Sequence, residues 1–273
     1  MSGLRGMRWR LVWAVVAKDL AVVRRSRMIL STITLMPALF AVVLPAVALL
    51  VPSLAGPATL AHQLGQLPRP IRTLFAGHSP AETWVLYAAL YMFAPFFLMV
   101  PLMVATGFAA DSIAGERERK TLEGLLYTPL SDLELYAAKV LGAWTTAMAV
   151  TLLAFLAYAV TVNLAGWPVM GRFFFPTAAW VLLVVLVVPA AAALGLGVIV
   201  LISARVATTY EAFQMGGMVV IPVVLLLFGQ VSGVVIFGPL VVLALGLVAW
   251  AAALLVLGVG LRRFGRPALL NRL

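Results

Sequence analysis

Five long stretches of this 273-residue chain contain no Asp, Glu, Lys or Arg: residues 28–68, 83–110, 140–171, 173–204 and 212–261. A helix needs about 20 apolar residues to cross a bilayer, so each of the first four holds one span and the fifth is long enough for two. The pattern predicts six membrane-spanning helices, near 28–51, 83–110, 139–165, 177–202, 212–229 and 239–261. Ahead of the first, Trp9, Val12, Val16, Leu20 and Val23 recur at helical spacing among Arg and Lys. That spacing predicts an amphipathic helix over 5–27 lying flat at the membrane surface rather than the short basic start of a cleaved leader. The fold class expected is an all-α polytopic membrane protein, with residues 1–273 forming one transmembrane domain.

Two span starts are punctuated in the same way. Ser79-Pro80-Ala81-Glu82 and Ser131-Asp132-Leu133-Glu134 each place a capping serine three residues before a glutamate that can reach back to it. The second and third helices therefore begin outside the apolar layer. Trp84, Trp167 and Trp180 are expected at the outer interface, as an aromatic belt. Ala191/Gly195 and Ala193/Gly197 pair small residues at helical spacing and predict close helix contacts, which would suit a dimer.

Composition fits this reading, with 64% hydrophobic and 10% charged residues and a mean hydropathy of +1.12. The net charge of +10 would suggest nucleic acid if the basic residues formed one patch, but they collect at span ends instead. Sixteen of the 19 Lys and Arg fall on one side of the predicted spans, and only Arg69, Arg72 and Arg172 on the other. The positive-inside rule then places both termini and the 111–138 segment in the cytoplasm of a cell whose plasma membrane the chain crosses.

Several chemistries are disfavoured. The proposed apolar cores hold no charged residue, so an intramembrane proton relay within this chain is not expected. With no cysteine and only His62 and His78 as histidines, both in the outer loop 52–80, no metal site is expected. Gly115 to Thr121 reads GERERKT, which lacks the second glycine and the preceding strand of a phosphate-binding loop. No cofactor is expected on this chain.

The most informative segment lies between the second and third predicted spans. Thr128-Pro129 breaks it into two helical pieces, because a proline disfavours helix at the residue before it, and Ser131 caps the second. In the first piece Leu122, Leu125 and Leu126 share a face, while Glu116, Arg117, Glu118, Arg119, Lys120 and Glu123 supply mixed charges at i,i+4 spacings. A solvated helix held by its own salt bridges would explain the charges. It would not explain the leucines, which call for burial against this chain or a partner.

The run GERERKTLEGLLYTPLSDLELYAAKVLG resembles the cytoplasmic segment of type 2 permeases of ATP-binding-cassette (ABC) exporters, close to their sodium-efflux-like branch, whose pattern runs ERExGTLExLLxTPxSxxExxxGK. Glu116, Arg117, Glu118, Thr121, Leu122, Glu123, Leu125, Leu126, Thr128, Pro129, Ser131, Glu134 and Lys139 match it. Val15 to Pro37 is similar to the family's interfacial leading helix, with Lys18-Asp19-Leu20 where a Lys-Glu-Leu is usual. Ile202 to Pro222 resembles the approach to its fifth span, and short re-entrant helices between spans five and six occur in some members. Lys120 departs from the pattern by replacing the usual glycine, which puts the angle of the first piece in doubt.

The resemblance implies a non-catalytic membrane subunit whose 111–138 segment is a coupling helix. It would dock two ABC ATP-binding subunits, which carry Mg-ATP, and would pair with a second copy of this chain or a paralogue in membrane lipid. The docking residues so implied are Glu116, Arg117, Glu118, Thr121, Leu122, Glu123, Leu125, Leu126, Pro129, Ser131 and Glu134. Without the resemblance, the residues alone equally allow a membrane scaffold or assembly factor that recruits a cytoplasmic partner, or an ion channel.

Overall fold

The computed structural model describes residues 7–25, 27–116, 129–203, 208–236 and 238–263, and among them every regular element is helical. Helix α1 covers Trp9–Arg25. The first apolar stretch follows as α2 (Arg27–Ala38) and α3 (Leu44–Leu54), joined through a widened π turn at Leu39–Val43. Two short helices, α4 (Pro57–Gly65) and α5 (Arg69–Leu74), make the outer loop. Helix α6 (Pro80–Tyr87) continues through a π turn at Ala88–Met92 into α7 (Ala94–Ala110), and a further π turn, Asp111–Gly115, ends that rod.

Beyond residues 117–128 comes α8, Asp132–Met170, whose 39 residues extend about 58 Å at 1.5 Å each and so overshoot a bilayer's hydrocarbon. Helix α9 (Ala178–Leu182) passes through a π turn, Leu183–Val187, into α10 (Val188–Ser203). Helices α11 (Thr209–Gly216) and α12 (Ile221–Val231) flank a 3₁₀ turn at Gly217–Val220, and α13 is Pro239–Arg263.

Prolines account for three of the four π turns. Pro45, Pro95 and Pro189 each follow a π turn by two or three residues. A proline has no N–H to donate and its ring crowds the carbonyl four residues back, and one widened turn absorbs both faults without ending the helix.

Both capping boxes form. Ser79 N donates to Glu82 Oε2 at 2.8 Å and Glu82 N to Ser79 Oγ at 3.3 Å. The corresponding bonds at Ser131 and Glu134 are 2.8 and 3.2 Å.

Among the described residues, five helical stretches are long and apolar enough to cross a membrane: Thr34–Leu54, Pro80–Ala110, Asp132–Met170, Ala178–Ile202 and Pro239–Arg262. Five of the six expected spans thus correspond to helices of full crossing length. At the expected fifth span, near 212–229, the apolar helical stretch is only Gln214–Gln230, shorter than about 20 residues. Gly216-Gly217 and Pro222 weaken α-helix there, and the backbone tightens to 3₁₀ between them.

The second and fourth spans form the interior of the bundle, with α10 packed against α13 and α7, and α8 against α7. The small residues of α10 make this possible. A Cβ on Gly195 would lie 3.1 Å from Leu102 Cδ2, and one on Gly197 would lie 2.8 Å from Val256 Cγ1. The close contacts expected of these pairs are thus made within the chain, to α7 and α13, and they leave that face of α10 with nothing to offer a second copy.

At the loop end, opposite the one bearing α1, an aromatic cluster fills the core. Trp180 stacks on Tyr158 with centroids 4.9 Å apart, and Phe93, Phe97, Phe155 and Phe175 pack around them. Trp180 is 2% exposed, so it belongs to this core and not to an interfacial belt, whereas Trp167 is exposed.

The carbonyls of the π turn 88–92 receive three side chains from three other elements. Tyr158 Oη donates to Ala89 O at 2.6 Å, Trp180 Nε1 to Leu90 O at 3.0 Å, and Gln230 Nε2 to Tyr91 O at 2.5 Å. A fault in one helix becomes the point where α8, α9 and α12 are fastened to it.

The packing predicts an asymmetry between two glycines. Gly197→Leu should destabilise the chain by about 1–3 kcal/mol through overpacking, while Gly258→Leu, where a Cβ meets nothing within 4 Å, should leave stability unchanged. Thermal unfolding of the two variants in the same detergent measures the difference.

Candidate functional site

The ends of the segment singled out by sequence, residues 116 and 129, emerge beside α1. Helix α1 buries Val12, Val15 and Val16 against Leu130, Leu135 and Ala138 of the segment's exit and of α8. Its other face leaves Trp9 and Trp13 about half exposed. The apolar stripe expected along α1 is therefore occupied by protein at Val12 and Val16, and Trp9 lies outside it.

On the same buried face, one turn beyond Val15 and Val16, sits Asp19, only 4% exposed. A lone carboxylate there would be costly, and it is matched. Lys139 Nζ, 3% exposed, lies 3.0 Å from Asp19 Oδ2 and 2.7 Å from Glu116 Oε2. Lys18 Nζ closes the group by bonding Glu116 Oε1, with Asp19 Oδ1 at 3.6 Å. Ser112 Oγ donates to Asp19 Oδ2 at 2.8 Å.

Two ammonium groups thus face two carboxylates, and the four charges sum to zero. Burial alone would lower the Lys18 pKa, but the hydrogen bond and charge of Glu116, with help from Asp19, outweigh it and hold Lys18 above the usual lysine value. The quartet joins α1, the π turn that ends the second span, and the start of α8.

A second tie lies about 15 Å away along α1, ten residues toward its start. Arg8 Nη2 reaches Glu134 Oε2 at 2.8 Å, Arg8 Nε reaches Oε1 at 3.1 Å, and the backbone N–H of Arg8 donates to Oε1 at 2.7 Å. Arg8 also bonds the carbonyl of Pro129. Because Glu134 caps α8 through Ser131 as well, one carboxylate lies at the N-terminal ends of two helices, where both dipoles favour it. The Arg8 guanidinium first, then the backbone N–H groups of Ser131 and Arg8, hold the Glu134 carboxyl well below the usual carboxylate range.

Of the site residues expected from sequence, the structure brings Glu116, Pro129, Ser131 and Glu134 into this junction. Arg117, Glu118, Thr121, Leu122, Glu123, Leu125 and Leu126 lie outside the described residues. Sequence reasoning missed Arg8 and Ser112 as partners and did not pair Lys18 and Asp19 with anything. One signal was available: Asp19 is the sole acid before Glu82 and continues the spacing of Val12 and Val15/Val16. An acid on an apolar stripe requires a buried cation opposite.

Chemically the junction offers neither a nucleophile with a base nor a set of metal ligands. Its capacity is mechanical, since displacing either root of the 117–128 segment would pull on α1 through ion pairs that are costly to break in a poorly hydrated site. Lys139→Met should leave two buried carboxylates against one ammonium and cost about 3–5 kcal/mol. Adding Glu116→Gln restores one charge of each sign and should recover more than half of that loss, as read by thermal unfolding of the single and double variants.

The chain matches the family model described as "ABC-2 family transporter protein" over residues 13–242, which runs from α1 through the junction to the start of α13. No curated protein matches it. Members of that family are transport subunits that associate with ABC ATP-binding subunits. With most of its length covered by that match and an all-helical architecture of several apolar spans, this chain belongs to the ABC-2 transporter family of multi-pass membrane permeases.

Proposed function

We propose that this chain is the permease subunit of an ABC exporter. It moves its substrate across the cytoplasmic membrane with energy from Mg-ATP hydrolysed on separate ATP-binding subunits. The observation that carries this reading is the junction: both roots of the 117–128 segment are tied to α1 by buried or half-buried ion pairs, a frame suited to passing force from a docked partner into the first three spans.

In this reading Leu122, Leu125 and Leu126 bury in a groove of the ATPase, while Glu118 and Glu123 pair with basic groups at its rim. Two ATPases act on two permeases, the second being another copy of this chain or a paralogue. Closure of the ATPase dimer tilts the docked segment. The quartet carries that tilt to α1 and to α8, and the spans exchange access between the two faces. Charge asymmetry supports placing the basic end, both termini and the junction in the cytoplasm. The fifth segment, Gln214–Gln230, would complete the bundle as a shortened sixth crossing between paired subunits, and likeness of the 116–139 motif favours the sodium-efflux-like branch.

The docking residues give the decisive experiment. Leu122→Asp with Leu126→Asp should leave membrane insertion intact and abolish co-purification of the ATPase. Two interface anchors at about 2 kcal/mol each amount to close to a thousandfold in affinity. Glu118→Lys should do less, chiefly slowing association at low salt. By native mass spectrometry the wild-type complex should hold two ATPases and two permeases. Normal ATPase binding by the double aspartate variant, or a single permease in an ATPase-active complex, would contradict the proposal.

Sidedness has its own test, helped by a sequence without cysteine. A cysteine replacing Ser53, at the end of α3, should react with an impermeant maleimide added outside intact cells. Labelling there only after the inner face is opened would reverse the orientation.

A further inference from the structure

Two side-chain amides are buried in the interior, and their surroundings differ. Asn163 is saturated. Its Nδ2 donates to Ala159 O and Phe175 O at 2.8 Å each, and its Oδ1 accepts from Phe174 N at 3.1 Å and Phe175 N at 3.3 Å. Its role is visible in those bonds, which fasten the link between α8 and α9 to α8.

Gln230, 4% exposed, uses only half of its amide. Nε2 donates to Tyr91 O, whereas Oε1 is buried with no partner among the described residues. A carbonyl oxygen withdrawn from water without a donor carries a desolvation penalty that an apolar side chain of similar size would avoid. A polar group buried among apolar helices in this way is a candidate functional site.

Its position narrows the use. Gln230 lies in the last turn of α12, ten residues beyond the 3₁₀ turn that precedes that helix. The chain reverses directly after it, through Gly233 N to Gln230 O at 3.0 Å and Val235 N to Gly229 O at 2.8 Å. Interrupted helices at membrane depth are tolerated where they are covered by protein or line a cavity, and ligands of transporters collect at such breaks. Tyr91, whose carbonyl holds the amide, stands between Gln230 and a neighbouring cavity of about 240 Å³ at the loop end, which it lines with Leu90, Thr177, Trp180, Gly238 and Pro239 and which Gln230 itself does not line. That lining supplies an aromatic and aliphatic wall and no carboxylate, so it suits a neutral group better than a cation.

We propose that Gln230 Oε1 accepts a hydrogen bond from a neutral donor, such as a hydroxyl, on an amphiphilic molecule that the permease carries, with the apolar part of that molecule against the Tyr91–Trp180 wall. The inference rests on the permease reading for the word "carries" but not for the contact itself, so it is tested by binding to the chain alone.

The probes are 4-octylphenol and its methyl ether, which share the ring and tail and differ in the donor. Each is radiolabelled and equilibrated with chain-loaded and empty lipid nanodiscs. The wild-type chain should bind the phenol about tenfold more tightly than the ether, the size of one well-made hydrogen bond. Gln230→Leu should bring the two within about twofold of each other, and Gln230→Glu, which keeps an acceptor, should retain the preference. Gln230→Met serves in place of the leucine variant if the latter fails to fold, with thermal unfolding as the check.

The proposal is overturned if the wild-type chain binds neither probe above empty nanodiscs or shows no preference. It is overturned equally if the preference survives loss of the amide, as it would where only a water meets Oε1. A wild-type preference in a chain that docks no ATPase would remove the exporter reading and leave the contact standing.

Discussion

A polar group buried in this chain has almost no water to turn to, and the architecture follows from how each such group is satisfied. Backbone groups in the apolar spans are met by helix, as they must be where lipid offers no partner. Where helix fails, at the prolines, the π turn at 88–92 leaves carbonyls that Tyr158, Trp180 and Gln230 reach. Where a carboxylate is buried, at Asp19 and Glu116, a lysine is buried with it. The loop end is thus fastened by side-chain-to-carbonyl bonds, and the basic end adds buried ion pairs to bonds of that kind.

That difference has mechanical content. A hydrogen bond from Trp180 or Tyr158 to a backbone carbonyl, inside an aromatic cluster, fixes one helix against another at a single register. The quartet instead joins three elements through long side chains, and buried pairs of this kind contribute little net stability against an apolar alternative of equal volume. What they do supply is a penalty for separation, because pulling one partner away strands a charge. A junction built in this way resists coming apart while tolerating small rearrangements, which suits the force-transmitting role proposed for the segment it roots. The Arg8–Glu134 tie differs again, since Arg8 is half exposed and its contribution is open to screening by salt.

Much of the fold could be read from local pattern. The expected spans match Pro80–Ala110, Ala178–Ile202 and Pro239–Arg262 to within three residues, whereas Asp132–Met170 begins seven residues before the expected span, at its capping box, and Thr34–Leu54 begins six residues after it. Ser79/Glu82 and Ser131/Glu134 announced helix starts because a capping box is a local interaction written in four consecutive residues. Two of the misses share a cause: each concerned a contact between residues far apart in sequence. Nothing local tells whether Trp180 faces lipid or stacks on Tyr158, or whether Gly195 and Gly197 meet another copy or Leu102 and Val256. The fifth segment, Gln214–Gln230, is shorter than the other spans for a local reason, since hydropathy counts Gly216, Gly217 and Pro222 as compatible with a span while backbone propensity disfavours them in a helix.

The candidate site was half legible for the same reason. Glu116, Ser131, Glu134 and Lys139 lie in one short motif, but the partners that Glu116, Glu134 and Lys139 find on α1 or just before it are about a hundred residues or more away: Lys139 meets Asp19 at a separation of 120 residues and Glu134 meets Arg8 at 126. The motif alone suggests a surface for something outside the chain. With α1 in place, Glu116 and Glu134 turn inward, each committed to a cation of the leading helix, and so they are supports of the segment rather than part of its outer face. A partner docking on residues 117–128, as proposed, would meet a segment whose two roots are already anchored, and the specificity of that encounter would come from the leucines and charges between them.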